Sequence, residues 1–163
     1  MLQSHYSPHW IREDFVDFVL GQVNTMWTWH RVMAKIVAME SMPDDMVKIS
    51  LQPNRLFDFS KMQPGRFLVV TVPVEGVQQQ RAYSLVNSPD SRTLMLGIKR
   101  QGRVSRYLAN QARVGDVIGI SQATGDFTLK DKAAPKLLIA GGSGITPMIP
   151  MVRQILSDST DPV

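Results

Sequence analysis

The residues with the clearest capacity for chemistry lie in two short motifs of this sequence. The first motif, Arg81-Ala82-Tyr83-Ser84, offers a cation, an aromatic ring and a hydroxyl within four residues. A guanidinium binds phosphate through paired hydrogen bonds, and a phenol ring can lie against an aromatic cofactor. In a strand, Arg81 and Tyr83 point to one face and Ser84 to the other, unless the strand bends at its end.

The second motif is a glycine loop, residues 141–147, with the sequence Gly141, Gly142, Ser143, Gly144, Ile145, Thr146 and Pro147. Its glycines permit a tight turn from a strand into a helix, and a proline at the first helical position sacrifices no hydrogen-bond donor. A helix N-terminus attracts an anion. We expect Ser143 and Thr146 to offer hydroxyls to a diphosphate or to a nicotinamide amide.

A third candidate site lies between the two motifs, at residues 99–105. Lys99 closes a β-rich segment, and Gly102, Arg103, Val104 and Ser105 then open a predicted helix. The free N–H groups and the dipole of that helix favour a diphosphate. Gly102 permits close approach of the backbone, Ser105 offers a hydroxyl and Arg103 adds charge. A plain capped helix is the alternative interpretation.

The elements that must position these residues are mainly β-strands. Short β-rich segments separated by turn residues predict a six-stranded antiparallel Greek-key barrel, with strands at 32–39, 46–52, 67–72, 81–86, 94–100 and 117–121. Val104, Leu108 and Ala112 share one face of a helix over 104–113, which we expect to plug the open end of the barrel. Ser7-Pro8 predicts the start of an N-terminal helix that Gly21 can end.

The sequence divides into three predicted parts. Residues 1–30 form an N-terminal helical arm, residues 31–132 the barrel and residues 133–163 the start of another domain. In that last part, 136–140 predicts a short buried strand, and apolar residues at helical spacing follow it at Ile149, Val152, Ile155 and Leu156. This is the pattern of the first βα unit of a doubly wound α/β domain, which we expect to be incomplete here.

Composition excludes several classes of chemistry. The 163 residues contain no cysteine, so this chain holds no disulfide, reactive thiolate or iron–sulfur cluster of its own. His5, His9 and His30 show no metal-ligand spacing, and we expect no metal site. No stretch of eighteen apolar residues and no signal peptide is present, which indicates a cytoplasmic protein; docking of the N-terminal helix to a membrane is the alternative.

Positive charge is concentrated in residues 91–115, although the net charge of the whole sequence is only +4. This segment has six cations and no acid: Arg92, Lys99, Arg100, Arg103, Arg106 and Arg113. It could hold phosphates, contact an acidic partner or form an ordinary solvated surface. Nucleic acid is not expected, because the segment lacks a series of aromatic residues for base stacking between its cations; Tyr107 is the only one.

Together these motifs resemble the ferredoxin reductase family of flavoproteins. The resemblance implies that Tyr83 lies against the isoalloxazine of FAD, that Ser84 bonds near its N5 and that Arg81 binds the pyrophosphate. It places the Gly102–Ser105 turn on the same pyrophosphate and Thr146 near the nicotinamide. The sequence departs from the family pattern at Arg66, where glutamine is usual, and at Ala123, where proline is common.

The resemblance also implies an activity. Such a protein takes hydride from NAD(P)H onto FAD and passes single electrons to a [2Fe–2S] ferredoxin domain or protein. Ser84, Tyr83 and Thr146 are then the catalytic candidates. The sequence around Trp27, Trp29 and 53–55 is most similar to that of bacterial reductases that serve membrane-bound fatty-acid desaturases or oxygenases. The choice between NADH and NADPH stays open, as does FMN in place of FAD.

Two alternative functions remain at this stage. The chain could be an isolated FAD-binding module with little NAD(P)H activity, because the family's ribose and phosphate contacts lie beyond Val163. It could instead be a basic interaction domain that binds no flavin.

Overall fold

A computed structural model describes residues 26, 28, 30–87, 91–130 and 135–158. The fold is mainly β, and the predicted six-stranded antiparallel class is confirmed. The strands are β1 (Met33–Met42), β2 (Met46–Pro53), β3 (Phe67–Val74), β4 (Val77–Ser84), β5 (Leu94–Lys99) and β6 (Val117–Ile120). The predicted N-terminal helix lies outside the described residues.

The sheet has the order β4-β3-β6-β1-β2-β5, so β4 and β5 are its two edges. These edges meet at one end, where Leu85 forms a bridge with Leu96 and the N–H of Val86 donates to the carbonyl of Met95 at 3.0 Å. The sheet therefore curves into a barrel that closes locally. The Greek-key pattern of connections stays a prediction.

Alternating side chains explain why these segments become strands. In β2, β3 and β5 every second residue is buried, as expected for strands with one face in a core. Ile36, Ile49, Leu68 and Leu96 are among the core residues with essentially no exposed surface. Their opposite faces are left to line the outer surface and the functional site.

A tight turn lengthens β4 relative to the prediction. Glu75 and Gly76 adopt φ values of 53° and 78°, which suit a two-residue hairpin that matches the twist of its strands. Val74 consequently pairs with Val77, and pairing continues from there to Phe67 with Ser84. The strand begins at Val77 and ends at Ser84, whereas the sequence predicts 81–86.

Helix α1 (Arg103–Asn110) is the predicted plug helix, and it contacts β3, β4 and β5. Val104 and Leu108 are buried on its inner face, and Ala112 is buried just beyond its end. The helix is shorter than the predicted 104–113. Gln111 ends it, and its N–H still bonds to the carbonyl of Tyr107 at 2.9 Å.

The prediction of a buried strand at 136–140 is wrong. No strand among the described residues pairs with this segment, and Leu137 and Ile139 are 84% and 77% exposed. An apolar segment becomes a buried strand only where neighbouring strands satisfy its backbone groups and cover its side chains. The limits of the three predicted parts stay predictions.

The glycine loop leads into helix α2 (Met148–Asp158) through a 3₁₀ turn, Gly142–Ile145. The helix itself is as predicted, but its buried residues are Pro150 and Met151. Val152 and Leu156, which the sequence pattern placed on an apolar face, are 43% and 63% exposed. Among the described residues, no helix has the length and apolar character needed to cross a bilayer.

Candidate functional site

A cavity of about 440 Å³ opens where the end of β4, strand β5, the start of α1 and the glycine loop meet. It brings together residues that are far apart in the sequence. Its lining consists of Arg81, Ala82, Tyr83, Ser84, Gly97, Lys99, Gln101, Gly102, Val104, Ser105, Ser143, Gly144, Thr146 and Pro147.

The first motif forms one wall of the cavity at the end of β4. Arg81, Tyr83 and Ser84 all line it, although strict alternation would send Ser84 to the opposite face. Strand β4 ends at Ser84, and the next residue, Leu85, bridges to Leu96 of β5. Arg81 is exposed, and its guanidinium donates to the carbonyl of Gln80 at 2.7 Å. The side chain is therefore accessible to a ligand in the cavity.

Tyr83 is a partly buried phenol whose body packs against the core. Burial raises the pKa of its hydroxyl above the ordinary value of 10.0. The positive charge of Arg81 and a hydrogen bond with Ser105 act in the opposite direction on this pKa. Tyr83 is therefore a neutral aromatic surface at physiological pH.

The start of α1 forms a second wall, and Ser105 organises it. The Oγ of Ser105 accepts the N–H of Gly102 at 2.8 Å and the N–H of Gln101 at 3.1 Å, and it donates to the carbonyl of Gly102 at 3.0 Å. This is the half of a capping box that satisfies the N-cap backbone. For the Ser105 hydroxyl to donate a hydrogen bond to a phosphate, as predicted, it must first break its hydrogen bond to the carbonyl of Gly102.

Backbone donors remain at this helix start. The first bond inside the helix runs from the N–H of Arg106 to the carbonyl of Gly102. The N–H groups of residues 103–105 precede this first bond, and such groups have no partner within a helix. Two of those residues, Val104 and Ser105, line the cavity beside Lys99. The arrangement can hold an anion through backbone donors and a nearby ammonium group.

The glycine loop forms a third wall of the cavity, and Thr146 is its buried residue. Thr146 is 7% exposed, and its hydroxyl donates to the carbonyl of Ser143 at 2.8 Å. The oxygen of that hydroxyl can still accept a hydrogen bond, for example from a carboxamide N–H. Ser143, Gly144 and Pro147 complete this wall.

Most of the predicted site residues converge, but three do not. Arg103, Gly141 and Gly142 are absent from the lining of the cavity. Three lining residues were not predicted, namely Ala82, Gly97 and Gln101. Of these only Gly97 carries a sequence signal, because a glycine inside a strand often marks a close approach of another group.

The donor set fits an aromatic cofactor that carries a diphosphate. Two cations, Arg81 and Lys99, and the start of α1 can neutralise and bind phosphate oxygens, while Tyr83 and Ser84 offer a ring and a hydroxyl at the end of β4. Among the described residues no group of three or more His, Asp or Glu could hold a metal ion.

The predicted cationic segment divides into paired and unpaired groups. Arg100 bonds to Asp45 at 2.6 Å, and the guanidinium of Arg92 lies 5.8 Å from the ring centre of Phe59. Arg103 and Arg106, three residues apart on α1, are exposed and form no ion pair with any residue that the structure describes. These two side chains are called the basic surface below.

Comparison with known proteins identifies related sequences. The profile of the oxidoreductase FAD-binding domain matches residues 33–129, which is more than half of the chain. A flavohemoprotein of Pseudomonas putida is 32% identical over 124 residues. That alignment covers 75% of this chain and 32% of the relative, so the chain spans about a third of its length.

Solved structures share the fold. The flavohem-like FAD/NAD-binding domain of nitric oxide dioxygenase from Vibrio cholerae superposes with a TM-score of 0.71 at 26% identity, covering 78% of this chain and 57% of that one. Phthalate dioxygenase reductase, described as a modular structure for electron transfer from pyridine nucleotides to [2Fe–2S], gives a TM-score of 0.65 at 30% identity. Its coverage is 79% of this chain and 40% of that one.

Proposed function

The chain belongs to the family of oxidoreductase FAD-binding domains, and on that basis we propose that it is the flavin-binding portion of an NAD(P)H-dependent oxidoreductase that delivers single electrons to a [2Fe–2S] carrier. Membership in this family confirms the predicted flavoprotein resemblance and the FAD cofactor. The observation that carries the proposal is a cavity in which the β4 motif, the start of α1 and the glycine loop meet.

The residues of the cavity have distinct proposed roles. Arg81, Lys99 and the N–H groups at the start of α1 bind and neutralise the diphosphate of FAD. Tyr83 covers one part of the ring system, and Ser84 offers a hydroxyl at its edge. When bound, FAD supplies the chemistry of accepting a hydride and releasing electrons one at a time.

Thr146 is proposed to orient the nicotinamide. Its hydroxyl already donates to Ser143, so its oxygen is set to accept from the carboxamide. Accepting in this way would hold the nicotinamide ring on the open side of the cavity, in the orientation that hydride transfer needs. No side-chain acid or base is required for that transfer.

The proposed electron acceptor is a [2Fe–2S] ferredoxin-type domain or protein. These 163 residues contain no cysteine, so the cluster has to be held by a separate ferredoxin domain or by another protein. Phthalate dioxygenase reductase, by its description, transfers electrons from pyridine nucleotides to [2Fe–2S]. The basic surface on α1 adjoins the cavity and suits an acidic partner. We extend the proposal to a carrier that serves a desaturase or an oxygenase.

A test of this proposal follows the flow of electrons. The FAD-loaded chain is reduced with a stoichiometric amount of dithionite and mixed with an excess of an oxidised, acidic [2Fe–2S] ferredoxin, because the reduced flavin releases two electrons and each cluster accepts one. We expect the visible flavin band to return in a second-order reaction that slows as salt is added, because the encounter is electrostatic. Arg106→Glu should slow this reaction several-fold at low salt.

The matched control is Arg55→Glu, which reverses the charge of an exposed arginine outside the cavity lining. Equal rates for the two variants and the unaltered chain, at all salt concentrations, would refute the basic surface as the site of transfer. Flavin that binds but passes no electrons to the ferredoxin would favour an FAD-binding module. A chain that takes up no FAD would favour the non-flavin interaction domain.

A further inference from the structure

Gly97 is a glycine in the middle of β5, on the face of the strand that lines the cavity. The neighbouring residues Leu96 and Ile98 point into the core, and Gly97 lies between them on the cavity side. Glycine weakens a strand because it has no side chain to pack and loses more backbone freedom than other residues. Its presence here is explained by whatever approaches the strand at this point.

The group that approaches is Thr146 of the glycine loop. A Cβ atom built on Gly97 would lie 3.2 Å from the Cγ2 methyl of Thr146, closer than ordinary van der Waals contact. The hydroxyl of Thr146 is directed to Ser143 of its own loop, so the methyl is the part that faces β5. The glycine loop therefore lies against the strand at the one position without a side chain.

A second glycine, Gly65, faces the same segment at helix α2. A Cβ atom on Gly65 would lie 2.3 Å from the methyl carbon of Met151, which is one of the two buried residues of α2. The loop and its helix are thus seated on the barrel at two points where side chains are missing. The two contacts differ in stiffness, because the methyl of Met151 is the end of a flexible side chain, whereas the Cγ2 of Thr146 is one bond from its Cβ.

We propose that Gly97 is a positioning residue that seats Thr146 at the cavity and thereby sets the distance between the glycine loop and the Tyr83–Ser84 wall. A side chain at position 97 would displace Thr146 by a few tenths of an ångström. The effect on the nicotinamide rests on the proposed function; the seat itself is a property of the protein alone and is testable without flavin.

The test is a double-mutant cycle on the chain without FAD, read by thermal unfolding. Gly97→Ala should lower the unfolding midpoint, and most of that loss should disappear in a Thr146→Ser background, which removes the crowded methyl and keeps the hydroxyl. In a Thr146→Val background, which keeps a methyl at this position, the loss should remain. Additive effects of Gly97→Ala and Thr146→Ser would overturn the proposal, because residues in contact are coupled.

The control is Gly119→Ala, where a Cβ would lie 3.2 Å from the Cβ of Thr71 on the neighbouring strand. It imposes the same crowding against a threonine at a position outside the cavity lining. The ¹³C-methyl resonance of Thr146, assigned by its absence in Thr146→Ser, should move in Gly97→Ala and stay in place in Gly119→Ala. An unmoved Thr146 resonance in Gly97→Ala would overturn the proposal.

Added FAD separates this proposal from the proposed function. If FAD binds, the Thr146 resonance should shift on binding, and by a different amount in Gly97→Ala. If the unaltered chain takes up no FAD while the coupling between positions 97 and 146 is present, the seat is supported and the proposed function fails. If FAD binds and the coupling is absent, the seat fails and the proposed function stands.

Discussion

Tyr83 is the residue at which burial and charge compete within the proposed site. Tyr83 packs against the core and lines the cavity, and Arg81 and Ser105 both act on its hydroxyl. Burial is the largest influence and raises the pKa of the phenol, because the anion would lose hydration. The folded protein consequently favours the neutral phenol over its anion.

This raised pKa predicts a pH dependence of stability with a definite sign. As pH rises past about 10, the unfolded chain releases the Tyr83 proton before the folded chain does. The contribution of Tyr83 to the free energy of unfolding therefore falls as pH rises from the unfolded-state pKa to the folded-state pKa. Urea unfolding between neutral pH and pH 11 should therefore show a shallower alkaline loss in Tyr83→Phe than in the unaltered chain. At neutral pH the phenol is protonated in both the folded and the unfolded chain. The difference in stability between Tyr83→Phe and the unaltered chain at that pH therefore reports only the loss of the hydroxyl and its hydrogen bond. Parallel curves over the whole range would contradict the assigned shift.

For individual residues, the sequence predicted which ones line the site better than it predicted their hydrogen-bond partners. Arg81, Tyr83, Ser84 and Thr146 were predicted and do line one cavity. The bonds of Ser105 to its own turn were not foreseen, because hydroxyl partners depend on geometry that spacing does not specify. Gln101 carries no sequence signal, and only the fold shows that it lines the cavity.

The turn before β3 is the element that ties the barrel to the glycine-loop segment. Gly65 has a φ of 96°, which disfavours any side chain, and a Cβ there would lie 1.7 Å from the carbonyl oxygen of Phe127. The methyl of Met151 can move aside because it ends a flexible side chain, but the backbone of Phe127 cannot. The turn is therefore sterically fixed by the Phe127 backbone.

Gly65→Ala should destabilise the chain more than Gly115→Ala does. Both glycines have positive φ, at 96° and 104°, so both replacements carry the left-handed strain of about 1–2 kcal/mol. Gly115 has open space around its Cβ position, whereas Gly65 adds a collision with backbone. Urea unfolding should show roughly twice the loss for Gly65→Ala, or a failure to fold. Equal losses for the two variants would show that the contact with Phe127 is not rigid.

The elements themselves were largely predictable. Short β-rich segments and turn chemistry located all six strands, and helical spacing located α1 and α2. The segment 136–140 was wrongly predicted as a buried strand, because an apolar sequence does not reveal whether neighbouring strands pair with it. The start of β4 was missed by four residues, because Gln78 to Gln80 lack the apolar alternation of a half-buried strand.

At the scale of the whole molecule, the site exists only when distant parts of the chain fold together. Its walls come from residues 81–84, 97–105 and 143–147, so an unfolded chain has no equivalent site. A ligand that binds only the folded state stabilises it, by about 2.7 kcal/mol at a free concentration one hundred times its Kd. FAD should therefore raise the unfolding midpoint of this chain in a concentration-dependent way.

The most direct test of the account is an FAD titration of the purified chain, followed by absorbance and by the unfolding midpoint. We predict uptake of one FAD per chain and a rise in the midpoint. Arg81→Ala should weaken binding about tenfold or more, since a hydrogen bond to a charged group contributes about 1.5–3 kcal/mol. Arg55→Ala, which removes an exposed arginine outside the cavity lining, should bind as the unaltered chain does. A colourless chain that takes up no FAD, or undiminished affinity in Arg81→Ala, would contradict the account.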